Sequence, residues 1–428
     1  MRTIKCASIV TGCIIFLIFS LIFVDWLILI FIIPLLLFLF VGVIFFHGKE
    51  INFEVIRNIS NIKIFEHDKI QIALKIINRG GDVNFLEIFD KLPSKVKISK
   101  GSNYSVFGIK KDEEIVISYV ISCPIRGHYP IGPLNLRVKD FFGMFYKEKI
   151  VDTDTEITVI PQIEEIRDIS VRAKANIYPG IMQTKHTGIG TEFFGIRNYS
   201  SGDSFKKINW KSFARFCQPM VNDYELESTT DVILIVDARQ IQGTGTMKHN
   251  PMEYGIKAAV SIASHFLKRR DRVGLIVFGK TEGKLKWVYP ESGKKQLYKI
   301  IEEIVEIQAQ GEFPFNGVVY RSVTHMLPKK ALVIFISSLE QDNTIPKGVE
   351  RLIAHGYNLI ILSPSPIDIE YNLHSLDADY DLAHKILSLE RKNFLSQLRN
   401  KGARVVDWNP SMPLMISLKE VEKYQIRR

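Results

Sequence analysis

The N-terminal apolar segment constrains this chain more than any other part of its sequence. From residue 6 to residue 46 it is almost continuous Ile, Leu, Phe and Val, and Asp25 is its only charged residue. Two stretches, residues 7–24 and 27–46, each approach the roughly 20 apolar residues that a helix needs to cross a bilayer. Between them, Asp25 and Trp26 suit a turn at the lipid surface. The sequence therefore predicts a hairpin of two transmembrane helices.

A cleaved signal peptide is the alternative interpretation of this N-terminus. A second apolar stretch follows the first at once, without a small-residue cleavage site, which favours a hairpin that sits in the membrane over residues 7–46. Arg2 and Lys5 precede the hairpin and Lys49 follows it, whereas its turn carries only Asp25. The positive-inside bias thus predicts a multi-pass cell-membrane protein whose N-terminus and soluble domains are both cytoplasmic.

Residues 49–165, which follow a membrane segment over residues 1–48, show the pattern of half-buried strands. Residues 69–76 alternate polar and apolar side chains, and a turn cluster with two glycines follows at 78–82. Strand character returns at residues 85–89, 114–122 and 134–138. This order predicts an antiparallel β-sandwich-like domain. It carries no catalytic spacing of His, Cys or carboxylates, so we expect a structural or binding domain.

Residues 231–428 change to the pattern of an α/β domain. The apolar run within residues 231–237 is typical of a strand buried on both faces of a parallel sheet. Further strands are expected at 273–278, 332–337, 359–363 and 403–406, and helices at 253–270, 294–307 and 383–399. The alternation predicts a doubly wound, mostly parallel sheet with helices on both faces. Asp237 and Ser338 fall at carboxyl ends of strands, where such sheets bind ligands.

The junction between these domains, residues 166–230, holds the densest group of unusual residues. It reads Arg-Asn-Tyr-Ser-Ser-Gly-Asp at 197–203, Ile-Asn-Trp-Lys at 208–211 and Ala-Arg at 214–215. Six of its residues are candidates for binding a partner: Arg197, Tyr199, Asp203, Trp210, Lys211 and Arg215.

These motifs resemble the signature of the domain of unknown function 58 family, which is an Arg-x-Tyr, then Gly-Asp, Ile-x-Trp and Ala-Arg. Asp-Lys-Leu-Pro at 90–93, Arg-Gly-His-Tyr at 126–129 and Lys-Asp-Phe-Phe-Gly-Met-Phe at 139–145 are similar to the family's β region. Asp-Arg-Val-Gly-Leu at 271–275 extends the resemblance downstream, and paired N-terminal membrane helices belong to the family's layout. The resemblance implies a von Willebrand factor A-like last domain and an adaptor or assembly role beside a MoxR-type AAA+ ATPase.

Ordinary structural roles compete with partner binding at the junction. Asp203 follows a glycine, a position at which Asp commonly caps the next helix or forms a salt bridge. Trp210 is expected as a core anchor rather than a binding platform. Arg197 and Arg215 suit an anion or a partner's carboxylate, or an internal ion pair. The carboxylates available for internal pairing are Asp203, Glu225 and Glu227.

Integrin-type A domains hold a divalent cation with Asp-x-Ser-x-Ser, a Thr and a later Asp, which are oxygen ligands suited to a hard cation. Asp237 is present here, but Arg239 and Ile241 replace the two serines, and Ser338 stands where the later Asp belongs. Residues 315–318 are interpreted as a loop without a Thr. We therefore expect a degenerate site at Asp237 and Ser338 that holds no metal, with Asp237 paired structurally to Arg239.

The remaining features favour binding over catalysis. Net charge is +10, but no dense basic run with interleaved aromatics occurs, so no nucleic-acid partner is expected. Neither a P-loop nor a GxSxG motif is present, and no cofactor is expected. The sequence thus predicts a membrane-anchored cytoplasmic adaptor rather than an enzyme. The alternatives are an outward-facing envelope binding protein and an enzyme for an anionic substrate, built on Arg197, Asp203, Lys211 and Arg215.

Overall fold

The computed structural model describes residues 4–423 in two compact units, Met1–Gln162 and Ile163–Arg428. Within that span it leaves out residues 25, 48–50, 141, 153–154, 167–192, 225–229, 280–284, 326, 341 and 375–377. The junction hairpin described below belongs to the second unit together with the α/β sheet.

Two apolar helical segments begin the first unit. Helix α1 spans Ile4–Phe23, and a 3-10 helix over Trp26–Phe31 leads into α2, Ile32–His47. Both segments are long and apolar enough to span a membrane, and most of their side chains are not buried by the protein. Pro34 lies in the first turn of α2, where a missing N–H is tolerated. These two helices indicate a membrane-associated protein.

The rest of the first unit is built from short strands in three sheets. Two sheets have four strands each, in the orders β1-β3-β7-β5 and β10-β9-β4-β6, and a third has the order β2-β11-β8. The pairs are antiparallel except β2 with β11, which are parallel. The strands are β1 Phe53–Ile59, β2 Lys63–Phe65, β3 Lys69–Asn78, β4 Val83–Asp90, β5 Lys97–Lys100, β6 Tyr104–Ile109, β7 Glu114–Ser122, β8 Gly127–Ile131, β9 Leu134–Lys139, β10 Tyr146–Val151 and β11 Thr155–Ile160.

The predicted alternation places one face of each large sheet in a shared core. Along β3, every second side chain from Ile70 to Ile76 is buried, and Leu134, Leu136 and Val138 of β9 are buried in the same way. All of these side chains belong to one hydrophobic cluster. The two four-stranded sheets therefore share one core, as the sequence pattern predicts for a two-layer β-domain.

The second unit begins its described part with a small hairpin and continues as an α/β sheet. The hairpin pairs β12, Phe193–Asn198, with β13, Met220–Tyr224, and carries a 3-10 turn and helix α3, Trp210–Phe216, between its strands. The elements that follow are β14 Asp231–Asp237, α4 Pro251–Lys268, β15 Arg272–Phe278, β16 Lys286–Glu291, α5 Lys294–Val305, α6 Phe315–His325, β17 Leu332–Ile336, α7 Ile345–Ala354, β18 Asn358–Pro364, α8 Pro366–His374, α9 Ala378–Asn400, β19 Arg404–Trp408 and α10 Leu414–Lys423.

The α/β sheet has the order β16-β15-β14-β17-β18-β19 and is parallel except for β16 at its edge. Ile233 and Ile235 of β14 share a core with residues of α6 and α7. The opposite face receives α4, where Gly255 approaches Ile336 so closely that a Cβ would lie 3.1 Å from its Cγ2. Helices therefore cover both faces of this sheet. The interpretation of 315–318 as a loop is wrong, because Phe315 begins α6 and is buried.

Sheet order also fixes where the chain changes direction. From β14 the chain moves outward to β15 and β16, and then returns to β17 on the other side of β14. The crevice between the carboxyl ends of β14 and β17 is the topological switch point, at which open α/β sheets bind ligands. Asp237 ends β14, and Ser337 immediately follows β17.

Candidate functional site

The candidate partner-binding residues lie on the hairpin of β12 and β13. A bidentate ion pair holds its first loop, because Arg197 donates to both oxygens of Asp203 at 2.7 and 2.6 Å. Asp203 also accepts the backbone N–H of Ser200 at 2.8 Å. The Arg197 hydrogen bonds, with that of Ser200, lower the pKa of Asp203 to about 2, so this carboxylate is ionised at neutral pH.

This geometry decides between the structural roles expected for Asp203. It forms the salt bridge, and Ser204 rather than Asp203 occupies the N-cap of the following 3-10 turn. The carboxylate closes the turn that precedes it, because the Ser200 N–H lies three residues upstream. Of the other partners offered for Arg197, Glu225 and Glu227 lie outside the described residues.

Helix α3 is short and is fixed by its caps. The side chain of Asn209 accepts the N–H of Ser212 at 3.0 Å at one end, and Cys217 adopts a left-handed conformation at the other. The amide of Asn209 also donates to the Asn222 side chain on β13 at 2.8 Å. These contacts tie a seven-residue helix to the hairpin without a core of its own.

Aromatic side chains on this segment are exposed to solvent. The exposed fraction is 71% for Phe205, 65% for Trp210, 60% for Phe216 and 39% for Phe213. The expectation that Trp210 anchors a core is therefore wrong. Asn209 fixes the start of α3, so Trp210 takes the first helical position, and its ring contacts Phe213 edge-on at 6.0 Å between centroids.

Basic side chains alternate with these rings. Lys211 and Arg215, one helical turn apart on α3, are both exposed and form no ion pair with any described residue. Tyr199 stacks on Phe205 at 5.8 Å, so the loop after β12 and the 3-10 turn carry a second aromatic pair. Sequence reasoning missed Phe205 and Phe216, although both are aromatic residues interleaved with Lys and Arg. We define the junction surface as Tyr199, Phe205, Trp210, Lys211, Phe213, Arg215 and Phe216.

A second cluster lies at the switch point of the α/β sheet. Arg239 donates to both oxygens of Asp237, from Nε to Oδ1 at 2.9 Å and from Nη2 to Oδ2 at 2.6 Å. Its remaining nitrogen, Nη1, donates to Asp342 at 2.7 Å. All three side chains are buried, with 6%, 0% and 4% of their areas exposed. One guanidinium thus pairs with two buried carboxylates.

Neutral groups complete this network. The Ser337 hydroxyl donates to Asp237 at 2.7 Å, and the Gln242 amide donates to the same oxygen at 3.0 Å. Burial by itself raises the pKa of Asp342, but hydrogen bonds from Thr344 and the Phe315 N–H, with the Arg239 charge, bring it below its ordinary value. The cluster is therefore charged and internally satisfied.

The degenerate-site interpretation is corrected at one residue. The Asp237–Arg239 pair is present, but Ser337 rather than Ser338 contacts Asp237. Ser338 contributes its backbone N–H to the cluster, which donates to the Gln242 side chain at 3.0 Å. Sequence reasoning also missed Asp342, whose only signal was an acidic residue in the loop after a buried strand. Because Arg239 covers both Asp237 oxygens, a cation would have to displace it.

Comparison with known proteins places both clusters in one matched segment. Residues 195–355 match the family described as "Protein of unknown function DUF58", a span that runs from β12 to the end of α7. The uncharacterized protein YeaD of Bacillus subtilis (strain 168) is 22% identical over 169 residues, which are 39% of this chain and 40% of that protein. The match thus spans less than half the length of this curated relative.

Solved structures resemble parts of the chain only distantly. Proximal thread matrix protein 1 from the mussel byssus is 14% identical, with 45% of this chain and 47% of that chain covered and a TM-score of 0.29. The FixG-related protein from Vibrio parahaemolyticus is also 14% identical, with 25% and 94% covered and a TM-score of 0.18. Scores this low carry no argument about fold or function.

Proposed function

We propose that this chain is a membrane-anchored, non-enzymatic adaptor or assembly factor that binds a cytoplasmic protein through its junction surface. The observation that carries the proposal is the set of aromatic rings left in water between exposed basic side chains. The partner we propose is a MoxR-type AAA+ ATPase, and the α/β part is proposed to be von Willebrand factor A-like. Both of these follow from the family resemblance rather than from geometry.

Exposed aromatic rings favour a partner because water solvates them poorly. Burying apolar surface contributes about 25 cal/mol per Å², and the residues that dominate protein interfaces are most often Trp, Tyr and Arg. The junction surface offers Trp210, Tyr199 and Arg215 together. The Arg197–Asp203 pair and the caps of α3 hold it in one conformation before binding, which lowers the entropy cost of association.

The arrangement favours binding over catalysis. Arg197 and Asp203 neutralise each other, while Lys211 and Arg215 stay on the exposed side of α3. The four side chains required by the enzyme alternative are therefore split between an internal pair and a solvent-facing helix. Exposed Lys and Arg on a surface rich in aromatic rings suit an acidic patch on a partner protein.

A pull-down tests this function. Tagged full-length protein, extracted from its native membrane in gentle detergent, should recover an AAA+ ATPase in a manner that depends on ATP. Trp210→Ala and Arg215→Glu should each reduce recovery about tenfold or more, the effect of losing an interface hot spot. Tyr298→Ala is the control, because Tyr298 is a similarly exposed aromatic on α5, away from the junction sequence.

The outcomes separate the two parts of the proposal. Recovery of no ATPase in any condition would remove the ATPase as partner. Equal recovery by wild type, Trp210→Ala and Arg215→Glu would place the contact elsewhere and overturn the role of the junction surface.

Orientation in the membrane is tested separately through a thiol. Cys217 is exposed at the end of α3, whereas Cys123 is fully buried in the β-domain. A membrane-impermeant maleimide should therefore label Cys217 only after cells are opened, because we propose that the soluble units are cytoplasmic. Cys217→Ser gives the background. Labelling of Cys217 in intact cells would instead support the outward-facing envelope binding protein.

A further inference from the structure

A second cleft lies in the α/β part of the chain, beside the loop that follows β17. Its volume is about 540 Å³, and its walls come from that loop and from helices α8 and α9. The lining is largely apolar and aromatic. It includes Leu339, Ile367, Tyr371, Tyr380, Leu387 and Phe394.

The charges around this cleft are unbalanced. Glu340, Glu370 and Glu390 line it. Its cations are already engaged within the chain, since Arg391 donates to Asp407 at 2.9 Å, to the Ser338 carbonyl at 2.9 Å and to the Ser363 hydroxyl at 2.8 Å. His384 lies 2.9 Å from Asp368. The cleft therefore keeps a negative excess in a chain whose net charge is +10.

Two side chains of the loop that lines the cleft have no hydrogen-bond partner among the described residues. The Ser338 hydroxyl is completely buried and has no hydrogen-bond partner among the described residues. Glu340 likewise has no ion pair or hydrogen bond within the described chain. Burial, with repulsion from Glu370, raises the pKa of Glu340 against the opposing charge of Arg391.

The backbone of this loop is strained at one residue. Leu339 has φ of +68°, a left-handed conformation that is unfavourable for a residue with a branched side chain. Its N–H is fixed by the Ser337 hydroxyl at 3.0 Å, and its side chain is buried. Such strain is retained where the surrounding structure needs the loop in one shape, and here that shape sets Ser338 and Glu340 at the cleft.

We infer that this cleft binds an arginine or lysine side chain from an apolar segment of a separate protein. The cationic head would donate to Glu340, and its aliphatic stem would pack along Leu387 and Phe394. A lipid headgroup of the anionic inner leaflet is disfavoured, because three carboxylates line the cleft. This site is separate from the junction surface and does not rest on the function proposed for it.

The test uses a small probe that has the two required features. Nα-benzoyl-arginine amide carries an aromatic ring and a guanidinium, and Nα-benzoyl-citrulline amide is its neutral counterpart. Titration calorimetry on the full-length protein in nanodiscs should give saturable binding of the arginine probe. The citrulline probe should bind about tenfold more weakly or worse, the usual effect of losing a charge-assisted hydrogen bond.

Two pairs of variants locate the binding. Glu340→Gln should weaken the arginine probe about tenfold, whereas Glu312→Gln, in the neighbouring cleft beside Arg239, should leave it unchanged. Leu387→Lys should abolish binding by placing a tethered cation in the cleft. Ile386→Lys changes the adjacent exposed residue of α9 and should keep binding within about twofold.

Three results would overturn the inference. These are equal affinity for the arginine and citrulline probes, undiminished binding by Glu340→Gln, or no saturable binding. The other candidate occupant of the cleft is a second copy of this chain, and light scattering tests it by measuring the mass of the protein in solution. A mass of two chains that falls to one when the arginine probe is added would also overturn the assignment to a separate protein.

Discussion

Replacing Arg239 with methionine is expected to destabilise the α/β part of the chain by about 3–5 kcal/mol. Methionine fills a similar volume but leaves Asp237 and Asp342 buried without their shared cation. An unpaired buried carboxylate is far more costly than a pair is favourable. Scanning calorimetry of the full-length protein should show the α/β transition lowered by about 10 °C.

The control is a variant that breaks a solvent-exposed ion pair in the same unit. Lys299 and Glu291 lie 2.9 Å apart, and each side chain is more than half exposed. Lys299→Met should therefore cost at most about 1 kcal/mol. A triple variant, Arg239→Met with Asp237→Asn and Asp342→Asn, should recover part of the stability lost by Arg239→Met. If Arg239→Met were as stable as wild type, Arg239 would not be needed to compensate the buried carboxylates.

Replacing Asp90 with alanine should have an effect of similar size, about 3–5 kcal/mol, in the β-domain of the first unit. Arg57 forms an ion pair with Asp90, and both side chains are buried. The Tyr119 hydroxyl donates to the other oxygen of Asp90 at 2.5 Å. Asp90→Ala thus leaves a buried guanidinium and a buried hydroxyl without their acceptor.

Two further variants separate the contribution of the Tyr119 hydrogen bond from that of an exposed ion pair. Tyr119→Phe removes one hydrogen bond to a charged group but keeps the ion pair, so it should cost about 1.5–3 kcal/mol. Glu54→Ala breaks the exposed pair with Arg79 and should cost at most about 1 kcal/mol. Hydrogen exchange of the β3, β4 and β7 amides localises each loss to the first unit. Equal protection in Asp90→Ala and Glu54→Ala would contradict the account.

Regular patterns in the sequence predicted β3, β4, β7 and β9 of the β-domain and, in the α/β part, the five parallel strands with helices α4, α5 and α9. Residues 69–76 form β3 because their alternation buries one face, and residues 231–237 form β14 because an apolar run suits a strand covered on both sides. Helix α6 was missed for a local reason. Residues 315–318 were interpreted as a loop, whereas Phe315 begins the helix directly after Pro314 and stacks on Phe335 with 3.9 Å between the ring centroids.

The site residues depended on information that a single sequence does not carry. Asp342 meets Arg239 across 103 positions, and only the order of β14 beside β17 brings them together. Trp210 was expected in a core because its ring is large and apolar. Its exposure follows instead from the Asn209 cap and from the shortness of α3, which has seven residues. Arg197 and Asp203 were predictable as a pair because they are six residues apart around a Gly-containing turn.

Photocrosslinking from position 210 is the most direct test of the central proposal, that the junction surface binds a protein. Full-length protein with p-benzoylphenylalanine in place of Trp210 is irradiated in its native membrane, and the adduct is identified by mass spectrometry. We expect a specific adduct with one protein, an AAA+ ATPase, and no such adduct from the same probe at Tyr298. Adducts with lipid alone, or the same protein adduct from both positions, would contradict the proposal.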